Sequence, residues 1–423
     1  MSLQKLFVDI HDVGFADKTY VEGHKLFINK EEILKMVSDS RFKSVDLELA
    51  FPGDSCRIAS AGDVIQPMVK VDHESATFPG LLGDMVRVGT GKSLFLRGVV
   101  VTETYEMMKV NGHLIDMSGP AAEHTAFSQM IHVVLIAQPA EGVDKYTYMD
   151  AQKQASLKIA KALATSAINC VPDEIKDYHL TKGDFEDQEG KLLPRIAYVM
   201  YNCNLERIQT DRLYGSDAME AFPTILDPNE ILDGALINFN HDQIVNSSPT
   251  YFYQNQPIIE ELYSRHGKDL NFVGIIVATV HFAMENKFRN AIFTTRLAKD
   301  ILDTDILLIT KESGGHPQID CATVCDLCEE AGVQVAMIQT EALATSMGSE
   351  EGLLFNTPNA KVIISAGCLQ PLDLPKIDRV IGKCIDYVPF KDTPLDGPVK
   401  TNNWMVRGGL NQIGASMYTS FKF

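Results

Sequence analysis

The spacing of apolar residues changes character part-way along the chain. In the first half the apolar runs are short, and many have a period of two. Residues 5–10 alternate loosely, and 20–28 predict a hairpin turning at Gly23. Asn29 followed by Glu32 predicts a helix start, with Ile33, Leu34, Met36 and Val37 as its apolar face. Val45, Leu47 and Leu49 alternate with Asp46 and Glu48, the mark of a strand with one wet face. Strand-like runs follow at 57–71 and 85–104, where Val99, Val100 and Val101 form the stiffest stretch, and a buried strand is expected at 133–136. Residues 148–168 predict a helix, because Ala155, Ile159, Leu163 and Ala167 recur at helical spacing with lysines between them. An acidic loop occupies 181–191, and 194–200 read as a strand.

Beyond residue 256 the rhythm is longer. Pro257 opens a helix that Gly267 ends. The run 272–280 is almost unbroken apolar, as in a strand covered on both faces. A helix at 284–300, a strand at 305–310, a helix at 317–331 ended by Gly332, and strands at 333–339, 362–365 and 379–381 complete the pattern. Strands alternating with helices imply right-handed crossovers and a parallel sheet. The expected fold class is α/β. Residues 1–232 form a strand-rich α+β half, and 233–256 a polar junction. Residues 257–400 form a doubly wound parallel sheet with helices on both faces, and 401–423 a tail suited to wrapping another subunit. Ligands of such sheets sit beyond the carboxyl ends of the strands, here near 278–282, 310–316, 340–343 and 365–369.

Composition narrows the classes. A chain of 423 residues exceeds one ordinary core, and 45% hydrophobic with 22% charged residues is ordinary for a globular protein. No run approaches the ~20 apolar residues of a membrane helix. The first residues lack a secretory pattern, so a cytoplasmic location is expected. The net charge of -18 repels phosphate backbones and argues against nucleic acid. Eight cysteines without a secretory signal read as reduced thiols.

Several stretches carry candidate chemistry. Leu114 to Thr125 leads from an apolar run into a loop containing Met117, Ser118 and Gly119, either a ligand-holding loop or a simple turn. Ser313, Gly314, Gly315 and His316 lie between a strand end and a helix start. Backbone amides there suit an anion such as a carboxylate, and a plain flexible turn fits equally. Cys321, Cys325 and Cys328 have a spacing used by iron–sulfur proteins. They share one helical edge, however, which favours burial against the sheet over metal binding. Gly91-Lys92-Ser93 lacks the preceding glycine of a phosphate loop, since Val86 stands there, and lies in a strand pattern.

Four stretches, in matching order and spacing, make the chain resemble a known family. They are Leu114-Ile115-Asp116-Met117-Ser118-Gly119-Pro120; Leu213-Tyr214-Gly215-Ser216-Asp217-Ala218; Asp233-Gly234-Ala235 followed by Pro249-Thr250-Tyr251; and Glu260 to Lys268, which leads into Asn271-Phe272-Val273-Gly274. The chain is similar over nearly its whole length to the proprotein subunit of component B of the glycine, sarcosine and betaine reductases, and more distantly to the D-proline reductase proprotein. The resemblance implies an oxidoreductase subunit, inactive alone, in an oligomeric complex of anaerobic amino-acid reduction. A selenocysteine- or cysteine-containing partner subunit and a small selenoprotein carrier belong to that complex. In the family the proprotein cuts itself between an Asn and a Cys, and the new N-terminus becomes a pyruvoyl group that activates an amine substrate.

The matching dipeptide in this chain is Asn240-His241. Imidazole cannot form the thioester or be eliminated to give a pyruvoyl group. Ser247 and Ser248 are substitutes displaced by several residues, which would put the cut at Asn246-Ser247. The expectation is an uncleaved chain without that cofactor, with Asn240 and His241 as the catalytic candidates. Met117, Ser118, Gly119, Ser313, Gly314, Gly315 and His316 are the substrate-binding candidates. Three readings remain open: a reductase subunit acting on a substrate that needs no Schiff base, a non-catalytic paralogue serving assembly or regulation, or an unrelated protein binding a nucleotide at 313–316.

Overall fold

The computed structural model describes residues 1–106, 113–202, 211–239, 247–312, 315–341, 357–368, 370–383, 393–410, 413–414 and 421–422. Local signals act as expected near the start. Strands Tyr20–Glu22 and Lys25–Ile28 pair antiparallel across Gly23, whose φ of +59° suits glycine. The Asn29 side chain accepts the Glu32 N–H at 3.0 Å and starts helix Lys30–Met36.

Two large sheets dominate. One carries the strand order His113–Asp116, Cys56–Ile65, Val99–Tyr105, Ile131–Pro139, Phe42–Ala50. The other has seven strands, in the order Thr224–Leu226, Asn271–Thr279, Arg195–Asn202, Ile306–Lys311, Gln334–Glu341, Val362–Cys368, Phe421–Lys422. Its five central strands are mutually parallel. A smaller four-stranded sheet pairs Ser2–Asp9 with Gly91–Arg97 and Glu174–His179.

Strand alternation assigns the layers. Val99 and Val101 face helix Lys145–Thr165, whereas Val100 faces the other way. That second face meets the seven-stranded sheet, with Ile58, Ala61 and Val134 packed in one core with Tyr198, Met200 and Ile275. Helix Pro257–Arg265 closes part of the same layer through Ile259 and Leu262. On the far side, Ala197, Val199 and Tyr201 pack with helices Met284–Arg296 and Pro317–Glu330. Each fully buried aliphatic side chain in these layers contributes ~1.5–3 kcal/mol relative to an exposed one. The protein is α/β, as its periodicities predict.

Three elements are placed by tertiary pairing rather than local pattern. Strand Arg195–Asn202, which precedes the polar junction, lies between Asn271–Thr279 and Ile306–Lys311. Strand pairing thus crosses the 232/257 division, because an apolar run buried on both faces joins whichever sheet has an open edge of equal length. Segment Arg379–Ile381, expected as a last strand of the parallel sheet, instead pairs parallel with Cys56–Ile65. Three residues hold too little local information to select a sheet. Here Arg379 contacts Asp54 at 3.4 Å and Glu48 at 3.9 Å, and its N–H bonds the Ser55 carbonyl. The tail, expected to wrap another subunit, folds over its own chain in its described part. The Arg407 N–H donates to Leu114 O at 2.9 Å, and Ile413 is buried. A Cβ at Gly408 would stand 2.8 Å from the Phe127 ring, so the close approach requires glycine.

Candidate functional site

The junction's two described stems are residues 233–239 and 247–254, and both are buried apart from half-buried Tyr251. Asp233 anchors the first. It accepts Lys70 Nζ at 2.7 Å, Gly89 N–H at 2.7 Å and the Ser93 hydroxyl at 2.5 Å. Burial raises its carboxyl above the ordinary range, and Lys70 opposes that shift. Gly91-Lys92-Ser93 thus serves in a strand whose Ser93 holds the junction, consistent with its poor fit to a phosphate loop.

The second stem rests on Asp63. Its carboxylate accepts the Thr250 N–H at 2.7 Å, the Thr250 hydroxyl, and Lys153 Nζ at 2.6 Å. Thr250 Oγ1 in turn accepts the Asn238 N–H at 3.0 Å, joining the stems. The Asn238 amide donates to Ser247 Oγ at 2.9 Å and to the Ser248 carbonyl. Lys153 also meets Glu103 at 2.9 Å, and Glu103 accepts the Tyr105 hydroxyl at 2.8 Å. Strand Cys56–Ile65 delivers Asp63 through a register shift between Ala61 and Val64. Ser60 nearby has φ +54°, and a Cβ at Gly62 would overlap Tyr105 at 2.2 Å.

A second group of acids faces the same stems. Asp211 Oδ1 accepts the Phe239 N–H at 3.4 Å, and Glu312 Oε1 accepts the Ser248 N–H at 2.9 Å. The Tyr253 hydroxyl lies 2.7 Å from Asp211 and 2.6 Å from Glu312. From the tail, the buried Arg407 donates to the Ser247 carbonyl at 2.8 Å, and its Nη1 lies 3.3 Å from His113 Nδ1. Burial and Arg407 push the His113 pKa well below its usual value, so its imidazole is neutral. A narrow crevice of about 20 Å³ lies here among His113, Ser247, Phe252, Trp404 and Arg407. Buried cation and buried acids on opposite sides of one peptide create a strongly dipolar interior.

The sequence candidates are dispersed. Asn240 and His241 lie outside the described residues, as do Ser313 and Gly314. Met117 is in the core, bonded through its backbone to Cys56 and Gly53. The Ser118 hydroxyl donates to Asp54 O at 2.9 Å, and Gly119, at φ +78°, opens the turn Pro120–His124. Gly315 has φ +76° and precedes helix Pro317–Glu330. His316 is set by a buried pair, as Lys287 Nζ lies 3.1 Å from its Nδ1, 3.2 Å from its carbonyl, and bonds Asp320. An ammonium only donates, so Nδ1 accepts and the neutral ring keeps its proton on Nε2. Burial first, then Lys287 and Lys311, lower the His316 pKa to about 4. Cys321, Cys325 and Cys328 pack into the helix–sheet core, where burial raises the first two thiols to about 12 and the third to about 11.

The family model for glycine/sarcosine/betaine reductase component B subunits matches residues 1–418. The chain belongs to this family. It is 36% identical to the sarcosine reductase complex component B subunit alpha of Peptoclostridium acidaminophilum over 391 residues, 92% of this chain and 90% of that one. It is 33% identical to the glycine reductase complex component B subunits alpha and beta of Acetoanaerobium sticklandii over 430 residues, 99% of both. Identity to the betaine reductase complex component B subunit alpha of Peptoclostridium acidaminophilum is 29% over 384 residues, covering 88% and 86%. No solved structure matches the chain. The protein is an oxidoreductase subunit of this family.

Within the component B family the resemblance places a pyruvoyl group at the junction, yet residue 241 is His, whose side chain cannot supply one. The described stems offer no cysteine either. No step is therefore derived through that group. Sequence reasoning also passed over Asp63, Glu103, Lys153, Asp211, Tyr253, Glu312 and Arg407. The available signal was a charge inside an apolar run, as at Asp63 and Glu103. Among the described residues no helix is long and apolar enough to cross a membrane.

Proposed function

We propose that this component B subunit binds a small amino-acid-derived or quaternary amine for reductive C–N cleavage, remains uncleaved, and works without a pyruvoyl group. A selenocysteine- or cysteine-bearing partner subunit supplies the nucleophile. The observation that carries the reading is His241 in place of the self-cleaving residue, set between two stems that are still held by buried ionic networks. The relatives' names, which describe subunits of glycine, sarcosine and betaine reductase complexes, support the reaction class and the need for partners. A substrate such as betaine has no N–H with which to form a Schiff base, so the missing electrophile is no obstacle to it. Arg407 gives the junction a buried cation suited to a substrate carboxylate. His241 serves there as a hydrogen-bonding or acid–base group.

Mass spectrometry of the purified protein is expected to give one full-length species. Two fragments meeting near Asn240 or Asn246 would sink the uncleaved reading. Reconstituted with a partner subunit, the wild type is expected to turn over an amine substrate. His241→Ala is expected to lose turnover about 10²-fold or more while still assembling. Unchanged turnover in that variant would remove His241 from the site.

A further inference from the structure

Tyr253 contacts two acids with one proton. Its hydroxyl lies 2.7 Å from Asp211 Oδ2 and 2.6 Å from Glu312 Oε1, both normal O–H···O distances. A phenol donates once. Its second contact becomes a hydrogen bond only if the other carboxyl contributes a proton. All three side chains are fully buried, so two adjacent carboxylates both ionised would be costly. We propose that Asp211 and Glu312 share one proton through Tyr253 at neutral pH, and that this pair is the acid–base element of the junction. The acid–base role rests on the reductase reading above; the shared proton does not.

The surroundings fit. The Asn202 amide donates to Asp211 Oδ2 at 3.0 Å, and the Phe239 and Ser248 N–H groups occupy Asp211 Oδ1 and Glu312 Oε1. Burial first, then the charge of Glu312, raise Asp211 well above the carboxylate range. Arg407 acts on Glu312 from the tail and favours its ionisation. Asp63, paired with Lys153, and Tyr198, bonded to Thr310, bring no unpaired cation. Arg212 turns to Asp217 and the Phe239 ring. Lys311, next to Glu312 in the chain, acts electrostatically on Cys321 and His316. In the cleavage step a partner selenol or thiol forms a bond to the substrate carbon, and the C–N electron pair leaves with nitrogen. The nucleophile gives up its proton as it attacks. An amine bound uncharged takes one up as it departs, whereas a quaternary amine leaves as the neutral tertiary amine and the proton stays with the carboxyl pair. A carboxyl pair holding one proton can donate it to the uncharged amine and be refilled with no change in net charge.

Infrared spectroscopy of the isolated chain tests the proton directly. The wild type at pH 7 is expected to show a protonated-carboxyl stretch that shifts in D2O. The band is expected to vanish in Asp211→Asn and in Glu312→Gln, and to persist, displaced, in Tyr253→Phe. Fluorescence of Trp404, the sole tryptophan, reports that each variant is folded. If the acid variants do not fold, alkaline titration of the wild-type and Tyr253→Phe bands decides, with one proton released as the band disappears. No band at pH 7, or a band surviving in both acid variants, would overturn the shared proton. In the reconstituted complex, Glu312→Gln is expected to lower kcat about 10²-fold with little change in KM, and to remove the alkaline limb of the pH–rate profile. A wild-type band with an unaltered limb in that variant would overturn the acid–base role alone. A band without any wild-type turnover would sink the reductase reading and leave the shared proton standing.

Discussion

Single residues at the junction owe their importance to burial of charge. Lys153 is fully buried and meets Asp63 at 2.6 Å and Glu103 at 2.9 Å, so it is secured only while both acids are present. Such a pair gives little net stability against an apolar replacement, but losing one partner costs several kcal/mol. The histidines show the reverse situation. His132 is buried between Thr102 and the Phe127 carbonyl, and burial lowers its pKa to about 4. His316 is lowered to about 4 as well. Unfolded, both titrate near 6.5, so the unfolded chain binds more protons between pH 4 and 6.5. Stability is therefore expected to fall as pH drops through that window. His132 alone accounts for about 3 kcal/mol at full protonation, at ~1.4 kcal/mol per unit. Urea unfolding at pH 4 to 7 measures this, and His132→Gln is expected to flatten the slope. An unchanged slope would refute the assignment.

At the scale of elements, helix Pro317–Glu330 shows how a motif is decided by its setting. Its three-cysteine spacing suits a cluster, but the helical edge bearing Cys321, Cys325 and Cys328 is pressed on the parallel sheet. These thiols are expected to resist iodoacetamide in the native protein and to react only on unfolding. Among the cysteines whose side chains are described, partly exposed Cys170 is expected to react first. Peptide mass mapping before and after denaturation gives the answer, and native alkylation of Cys321 would contradict it. Helix Lys145–Thr165 carries the opposite lesson. Its apolar face was legible, but Lys153, one of the intervening lysines, is buried. Helical periodicity marks one face as wet, and only a second layer above that face can bury it.

For the whole molecule, the decisive fact is that strand Arg195–Asn202 sits inside the seven-stranded sheet, hydrogen-bonded on both sides to strands from beyond the junction. The polar stretch is a break in the chain's pattern but not in its core. A protease nick between 239 and 247 is therefore expected to leave the two pieces associated under native conditions, as one peak in size-exclusion chromatography. Separation without denaturant would show that the interleaved sheet is not the main contact. The stems contribute further cross-links through Asp63–Thr250, Lys70–Asp233 and Glu312–Ser248.

The sequence by itself determined the fold class, most helices and strands, and, through ordered motifs, the family. These are legible because periodicity, caps and turn residues act within a few positions of one another. It also determined that residue 241 is His, which bears on the chemistry whatever the fold. Tertiary structure alone decided which sheet took Arg195–Asn202 and Arg379–Ile381, and that the tail's Arg407 returns to Ser247. It alone brought Asp211, Tyr253 and Glu312 together, 42 and 59 positions apart in the chain. The reason is physical. A buried charge is tolerable only beside its partners, and partners so distant in sequence become neighbours only when the layers close.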